Sequence, residues 1–167
     1  GLSVDGGAGT IDQFVVTGFT AGHNLVDLSG LATGSISIDG VTASVIGFER
    51  VAYVGSNDAV IGGTLNEQFQ ESGVGNVSFS GGAGDDTFYF NTDASLTSGD
   101  SIDGGSGIDT FAIMTSGVAM AVIDASGMSA ANGTLAYNGQ LISVSNVETL
   151  FFQGGGGRHR DRNLGQR

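Results

Sequence analysis

The chain has 167 residues, with 31 glycines and no proline, cysteine, tryptophan or lysine. Of its five basic residues only Arg50 precedes position 158, so residues 1–157 carry 16 acidic side chains against one arginine, a net charge of −15. This excludes a basic surface for nucleic acid and a disulfide framework, and no apolar run approaches the roughly 20 residues that span a bilayer as a helix.

Glycine-rich turns recur near residues 6, 30, 55, 81, 104, 127 and 154, spaced 23 to 27 residues apart. Between them lie short β-branched or aromatic runs, in order Phe14-Val15-Val16, Ser35-Ile36-Ser37-Ile38, Val51-Ala52-Tyr53-Val54, Phe88-Tyr89-Phe90, Leu141-Ile142-Ser143-Val144 and Leu150-Phe151-Phe152. Several alternate with small polar residues at period two, as half-buried strands do. The near-constant spacing predicts an all-β chain wound as a right-handed parallel β-solenoid of about seven coils. The competing architecture is a set of antiparallel β-sandwich repeats, because Asp39-Gly40 and Asn138-Gly139 are hairpin dipeptides. Alanine and methionine gather in residues 118–131, but Gly127 interrupts them, and strand with turn is expected there too. After Gly154 to Gly157 the charge changes sign in RHRDRNLGQR, so residues 158–167 read as a basic, disordered tail behind a single segment, 1–157.

Three stretches share one pattern: GGAGTIDQF from Gly6, GGAGDDTFY from Gly81 and GGSGIDTFA from Gly104. The last two fit G-G-x-G-x-D-x-U-x, with U a large apolar residue, at every specified position. Glycines allow a tight turn that aims backbone carbonyls inward, the Asp adds a hard anionic oxygen, and the Phe returns the chain to a core. In the first copy Thr10 is one residue too many, which puts Asp12 one place late. A decayed fourth copy is GGTLNEQF from Gly62, with Glu67 in the acidic place.

At these residues the sequence resembles the RTX family of secreted bacterial calcium-binding repeat proteins, in its sparse form akin to surface-layer and adhesin repeats. The resemblance implies calcium as the cofactor, with Asp86 and Asp109 as ligands and Phe88 and Phe111 as inward apolar residues. Calcium takes six to eight oxygens, more than one such loop supplies, so two loops must face each other. The candidate ligand set is therefore Asp86, Asp109, Asp85, Asp103 and Asp12 with the glycines Gly82, Gly84, Gly105 and Gly107; Asp100 lies nearby, and Glu67 and Asp58 read more simply as solvated acids.

A longer repeat underlies the short one. Asp5 with GGAG answers to Asp103 with GGSG, DLSG at Asp27 to DASG at Asp124, Asp39-Gly40 to Asn138-Gly139, and GFERVAYVG to NVETLFFQG. Residues 1–55 thus match 103–154, with 56–102 between them, and stacked units of this kind imply self-association or neighbouring repeats of a longer chain.

Catalysis has little to stand on. His23 is the one histidine before the tail, and Arg50, Tyr53, Tyr89 and Tyr137 complete the supply of groups that polysaccharide lyases would need. Ice binding requires a flat ladder of Thr or Asn, and along the chain the threonines follow no such register. The expectation is a non-enzymatic, secreted structural repeat segment at the cell surface, in a surface-layer, filament or adhesin-like protein, with glycans or other surface molecules as possible contacts. The alternative is an accessory module of a secreted enzyme.

Overall fold

A computed structural model describes residues 3–5, 7, 12–17, 25–30, 33–46, 50–55, 58–71, 75–91, 96–115, 123–129 and 131–154. His23 and the basic tail lie outside them. Sixteen strands run through these residues: β1 (Ser3–Asp5), β2 (Gln13–Thr17), β3 (Leu25–Asp27), β4 (Ser35–Ile38), β5 (Val41–Ile46), β6 (Arg50–Gly55), β7 (Ala59–Ile61) and β8 (Gln68–Glu71). The second half continues with β9 (Ser78–Ser80), β10 (Thr87–Phe90), β11 (Ser101–Asp103), β12 (Thr110–Thr115), β13 (Ile123–Ser129), β14 (Asn132–Tyr137), β15 (Gln140–Ser145) and β16 (Thr149–Gly154).

The strands form two sheets. One has six strands in the order β16-β12-β10-β8-β6-β2, all parallel. The other has ten, in the order β1-β5-β4-β3-β7-β9-β11-β15-β14-β13, and is mixed. The single parallel solenoid of about seven coils expected from the turn spacing is therefore wrong. So is the antiparallel sandwich, since pairing through the middle of both sheets is parallel.

The cause is local turn chemistry. Asp39 and Gly40 have φ of 48° and 80°, and Asn138 and Gly139 have 48° and 83°. Two consecutive positive φ values are the signature of the tight turn whose twist suits a hairpin. At these points the chain reverses within one sheet, so β3-β4-β5 and β13-β14-β15 become antiparallel meanders. Each adds two strands to the ten-stranded sheet that the opposite sheet does not match.

The core lies between the sheets. Alternation sets it: in β8 and β10, Phe69, Glu71, Phe88 and Phe90 are buried, while Gln68, Gln70, Thr87 and Tyr89 are half-buried. Register then stacks the rings, with Phe69 and Phe88 centroids 4.9 Å apart and 9° from parallel, and Phe90 edge-on to Phe111 at 5.2 Å. Phe79 of the opposing sheet closes on Phe69 at 5.5 Å. Such pairs add to the burial term that dominates the stability of a glycine-rich backbone.

On the outer face, pairing places Thr87, Thr110 and Thr149 in one row, which their spacing along the chain conceals. The next row is Tyr89, Ala112 and Phe151, so the threonine ladder is a single rank beside an apolar one. Among the described residues no helix is long and apolar enough to cross a membrane.

Candidate metal site in the stacked glycine turns

A turn carries the chain from the ten-stranded to the six-stranded sheet between β7 and β8, β9 and β10, and β11 and β12, and register stacks these turns. Gly81 to Asp86 lies between Gly62 to Glu67 on one side and Gly104 to Asp109 on the other, stitched by Ala83 N–H to the Gly63 carbonyl (2.8 Å) and Ser106 N–H to the Gly82 carbonyl (2.9 Å). Gly82 and Gly84 have φ of 95° and 120°, Gly105 and Gly107 of 97° and 146°, which side-chain-bearing residues rarely adopt. The second requirement is space. A Cβ on Gly105 would collide with the Gly82 carbonyl oxygen, and one on Gly107 with that of Gly84.

The last residue of each turn is an acid just before the strand, buried at Glu67, Asp86 and Asp109 and exposed at Glu148. Because Gln68, Thr87, Thr110 and Thr149 are in register, Glu67, Asp86, Asp109 and Glu148 stand in one column. Each bonds to the next: Glu67 N–H donates to Asp86 Oδ1, Asp86 N–H to Asp109 Oδ1 and Asp109 N–H to Glu148 Oε2, all at 2.8 Å. An outer series runs the other way, with Asp85 N–H donating to Asn66 Oδ1 and Ile108 N–H to Asp85 Oδ1, both at 2.9 Å. Side-chain oxygens thus replace the carbonyl acceptors a regular ladder would supply.

Two of the inner carboxylates have a second oxygen with no donor. Glu67, Asp86 and Asp109 are at most 1 % exposed. The Glu67 carboxyl lies against the Gly63 and Leu65 backbone and the Asp86 carboxyl, whereas Asp86 Oδ2 and Asp109 Oδ2 lack a hydrogen-bond partner. Their neighbours are further oxygens. A Cβ on Gly81 would meet both Asp86 Oδ2 and the Gly104 carbonyl oxygen, and one on Gly104 both Asp109 Oδ2 and the Asn146 carbonyl oxygen. At Asp86 Oδ2 and Asp109 Oδ2 acceptors converge on acceptors, an arrangement costly to bury.

Electrostatics records that cost. Burial, reinforced by the Asp86 charge, pushes the Glu67 carboxyl from 4.5 up to about 8. Burial likewise pushes Asp86 from 3.8 up to about 6 against the opposing pull of the Glu67 N–H, with the charges of Asp109 and Asp85 adding to the rise. Asp109 is raised by burial and then by Glu148, Asp85 and Asp103, although the Asp86 N–H favours its ionised form. A hard cation among these oxygens would reverse every one of these shifts.

Of the residues singled out by sequence, Asp86 and Asp109 come together in the column. Asp85 is exposed and engaged in the outer series, and Asp103 accepts a bond from Asn146 Nδ2 at 2.8 Å. Asp12 is set apart: the pairing of Gln13 with Arg50 and of Ala52 with Gln68 puts Phe14, not Asp12, in the row of Glu67. Asp100 is buried ahead of β11, on the side of the ten-stranded sheet remote from the turns. There Oδ1 accepts the Val77 N–H (3.0 Å) and Thr97 Oγ1 (3.0 Å), and Oδ2 the Thr97 N–H (2.7 Å), so it is a satisfied structural acid.

Three acids depart from the sequence reading. Glu67 and Asp58, expected to be solvated, are both buried, Glu67 in the column; Glu148 is not singled out by the glycine motif at all. The signal that finds Glu148 is the triplet acid-Thr-apolar in Asp86-Thr87-Phe88, Asp109-Thr110-Phe111 and Glu148-Thr149-Leu150, which survives where the glycine motif has gone.

Among the described residues no three His, Cys, Asp or Glu side chains form a metal cage by themselves. Any ion here would take most of its ligands from backbone carbonyls. No protein-family model, curated protein or solved structure matches the chain.

Proposed function

We propose that the chain is a calcium-binding structural repeat segment of an extracellular surface-layer, filament or adhesin-like protein. The observation that carries this is the pair of buried carboxylate oxygens, Asp86 Oδ2 and Asp109 Oδ2, that face carbonyl oxygens and lack a hydrogen-bond donor. Calcium suits them by chemistry: it is hard, prefers oxygen, tolerates irregular geometry and accepts carbonyls alongside one or two carboxylates. Magnesium demands a tighter octahedron and keeps its water, for which the closed turns leave little room. Asp86 and Asp109 would contribute the charge, and the carbonyls of the stacked glycine turns the remaining oxygens.

An extracellular setting accords with calcium sites of the low-affinity kind. Modules that bind at roughly 10⁻⁴–10⁻³ M fill outside cells and stay empty where calcium is scarce. A structural role accords with burial: Asp86 and Asp109, at 1 % and 0 % exposure, are out of a substrate's reach and already hold backbone N–H groups.

The test is thermal unfolding and calorimetric titration of the parent and of Asp86→Asn/Asp109→Asn. Asparagine keeps the Oδ1 acceptor and presents an NH₂ where the orphan oxygen stood. The parent should gain stability with calcium and much less with magnesium. The variant should lose the calcium response yet exceed the parent in chelator by roughly 1 kcal/mol, about 2–4 °C. A parent equally stable in chelator and in millimolar calcium would remove calcium from the account.

A further inference from the structure

The two sheets end in open edges, and the molecule itself displays how one of them is covered. The order β1-β5-β4-β3 at one end of the ten-stranded sheet recurs as β11-β15-β14-β13 at the other. In the six-stranded sheet, β2 beside β6 recurs as β12 beside β16, with Arg50 set against Gln13 as Thr149 is against Thr110. Asp27 and Asp124 make the same local bond, Oδ1 accepting the N–H two residues on at 2.9 Å. One difference separates the two ends: β3 and β6 are covered by β7 and β8, whereas among the described residues β13 and β16 are the last strands of their sheets.

Burial marks the uncovered end. Leu28, beyond β3, is fully buried, and its counterpart Ala125 is only half-buried. Leu150 and Phe152 pack against the core but remain half-buried, and Phe151 is 48 % exposed. Unpaired strand edges flanking an open core end are templates for another strand pair.

We propose that this end receives the β1–β2 end of a second copy of the chain, in the way that β3 and β6 receive β7 and β8. The covering pair reads Ala59-Val60-Ile61-Gly62-Gly63 and then Glu67-Gln68-Phe69; the opposite end of the molecule reads Ser3-Val4-Asp5-Gly6-Gly7 and then Asp12-Gln13-Phe14. Transferring the register of Ala52 with Gln68 sets Gln13 against Phe151, Phe14 against Phe152 and Val15 against Gln153. Parity agrees: Phe14 and Phe152 both pack against the core, and Val15 and Gln153 are both exposed. In the other sheet the register of Asp27 with Ile61 sets Asp5 against Asp124, both exposed. The contact is head-to-tail and does not close on itself, so it propagates into a filament. Opposed aspartates weaken it, which makes association rise with ionic strength, the reverse of an ordinary ion-paired interface. None of this depends on cation binding, as it stands on pairing topology alone.

The chain has no cysteine, so single cysteines report the contact cleanly. Val15→Cys and Gln153→Cys are made separately, checked by circular dichroism for parental β signal in millimolar calcium, mixed and mildly oxidised. Expected is a covalent dimer from the mixture in clear excess over either variant alone. Sedimentation of the parent should show mass rising with protein and salt concentration, and Asp5→Asn should tighten association up to about fivefold. Dimer yield no greater than that of Val15→Cys mixed with Val41→Cys, or an equal yield from Gln153→Cys alone, overturns the proposal. Cross-linking with no calcium response would sink the calcium reading only; a calcium response with no cross-linking would sink this one only.

Discussion

At the residue scale the governing fact is that acids sit where they cannot be solvated. A folded-state carboxyl pKa raised above its unfolded value gives stability that is complete below the unfolded value and is lost as pH rises through the folded one. For Glu67 and Asp86 that window opens near their ordinary 4.5 and 3.8 and closes through about 6 for Asp86 and about 8 for Glu67. Raised Asp109 and Asp100 act in the same direction. In chelator the melting temperature should therefore fall steadily from pH 5 to pH 8. Calcium, which favours the ionised forms, should flatten or invert that slope, and Asp86→Asn/Asp109→Asn should lessen it without calcium, leaving the part due to Glu67 and Asp100. Melting curves in chelator that are level or rise over this range would show that the column is solvated or otherwise neutralised. The acids' types and places could be read in the sequence, but their burial could not. Only the decayed glycine motif from Gly62 sets Glu67 apart from a surface glutamate in the sequence.

At the element scale the turns divide into two kinds that a count of glycines would merge. Gly139 has φ of 83° with nothing within 4 Å of where a Cβ would be, so it is needed for backbone conformation alone. Gly105 has φ of 97° and its place for a Cβ is taken by the Gly82 carbonyl. Gly139→Ala should cost about 1–2 kcal/mol, the left-handed penalty. Gly105→Ala carries that penalty and a backbone collision besides, so chemical denaturation should show a clearly larger loss and a weakened calcium response. Equal losses would mean that the turns can separate to admit a methyl group. The aromatic stack is the other element-level determinant. Phe88→Ala, which empties the centre of the Phe69, Phe79 and Phe88 cluster, should cost about 3–5 kcal/mol by denaturant midpoint. The strand runs themselves were legible, since alternation of large apolar and small polar residues needs only the nearest neighbours in the chain.

At the scale of the whole molecule, mixed pairing gives the two sheets different widths, and among the described residues β13 and β16 are uncovered. An acidic, glycine-rich chain pays heavily in backbone entropy and self-repulsion to fold. Neutralising the turn column and covering the open core end both offset that cost, one by an ion and the other by a second copy. The acidic column ends at Glu148, beside the uncovered β16, so the two meet at that end of the molecule and their contributions should couple.

By itself the sequence determined what is decided within a few residues: the β character, the positive-φ turns at Asp39-Gly40 and Asn138-Gly139, and the pairing of Asp86 with Asp109 through two intact motifs 23 residues apart. It could not decide how many strands each turn-to-turn interval contributes to a sheet, because the same dipeptides that mark a hairpin do not say which sheet the hairpin joins. That is settled by pairing between strands far apart in sequence. The same long-range register admits Glu148 to the acidic column, shifts Asp12 out of it and lines up three threonines that look scattered along the chain. A one-residue slip turns every side chain of a strand to the other face, so column membership belongs to the packed sheets and not to any local segment.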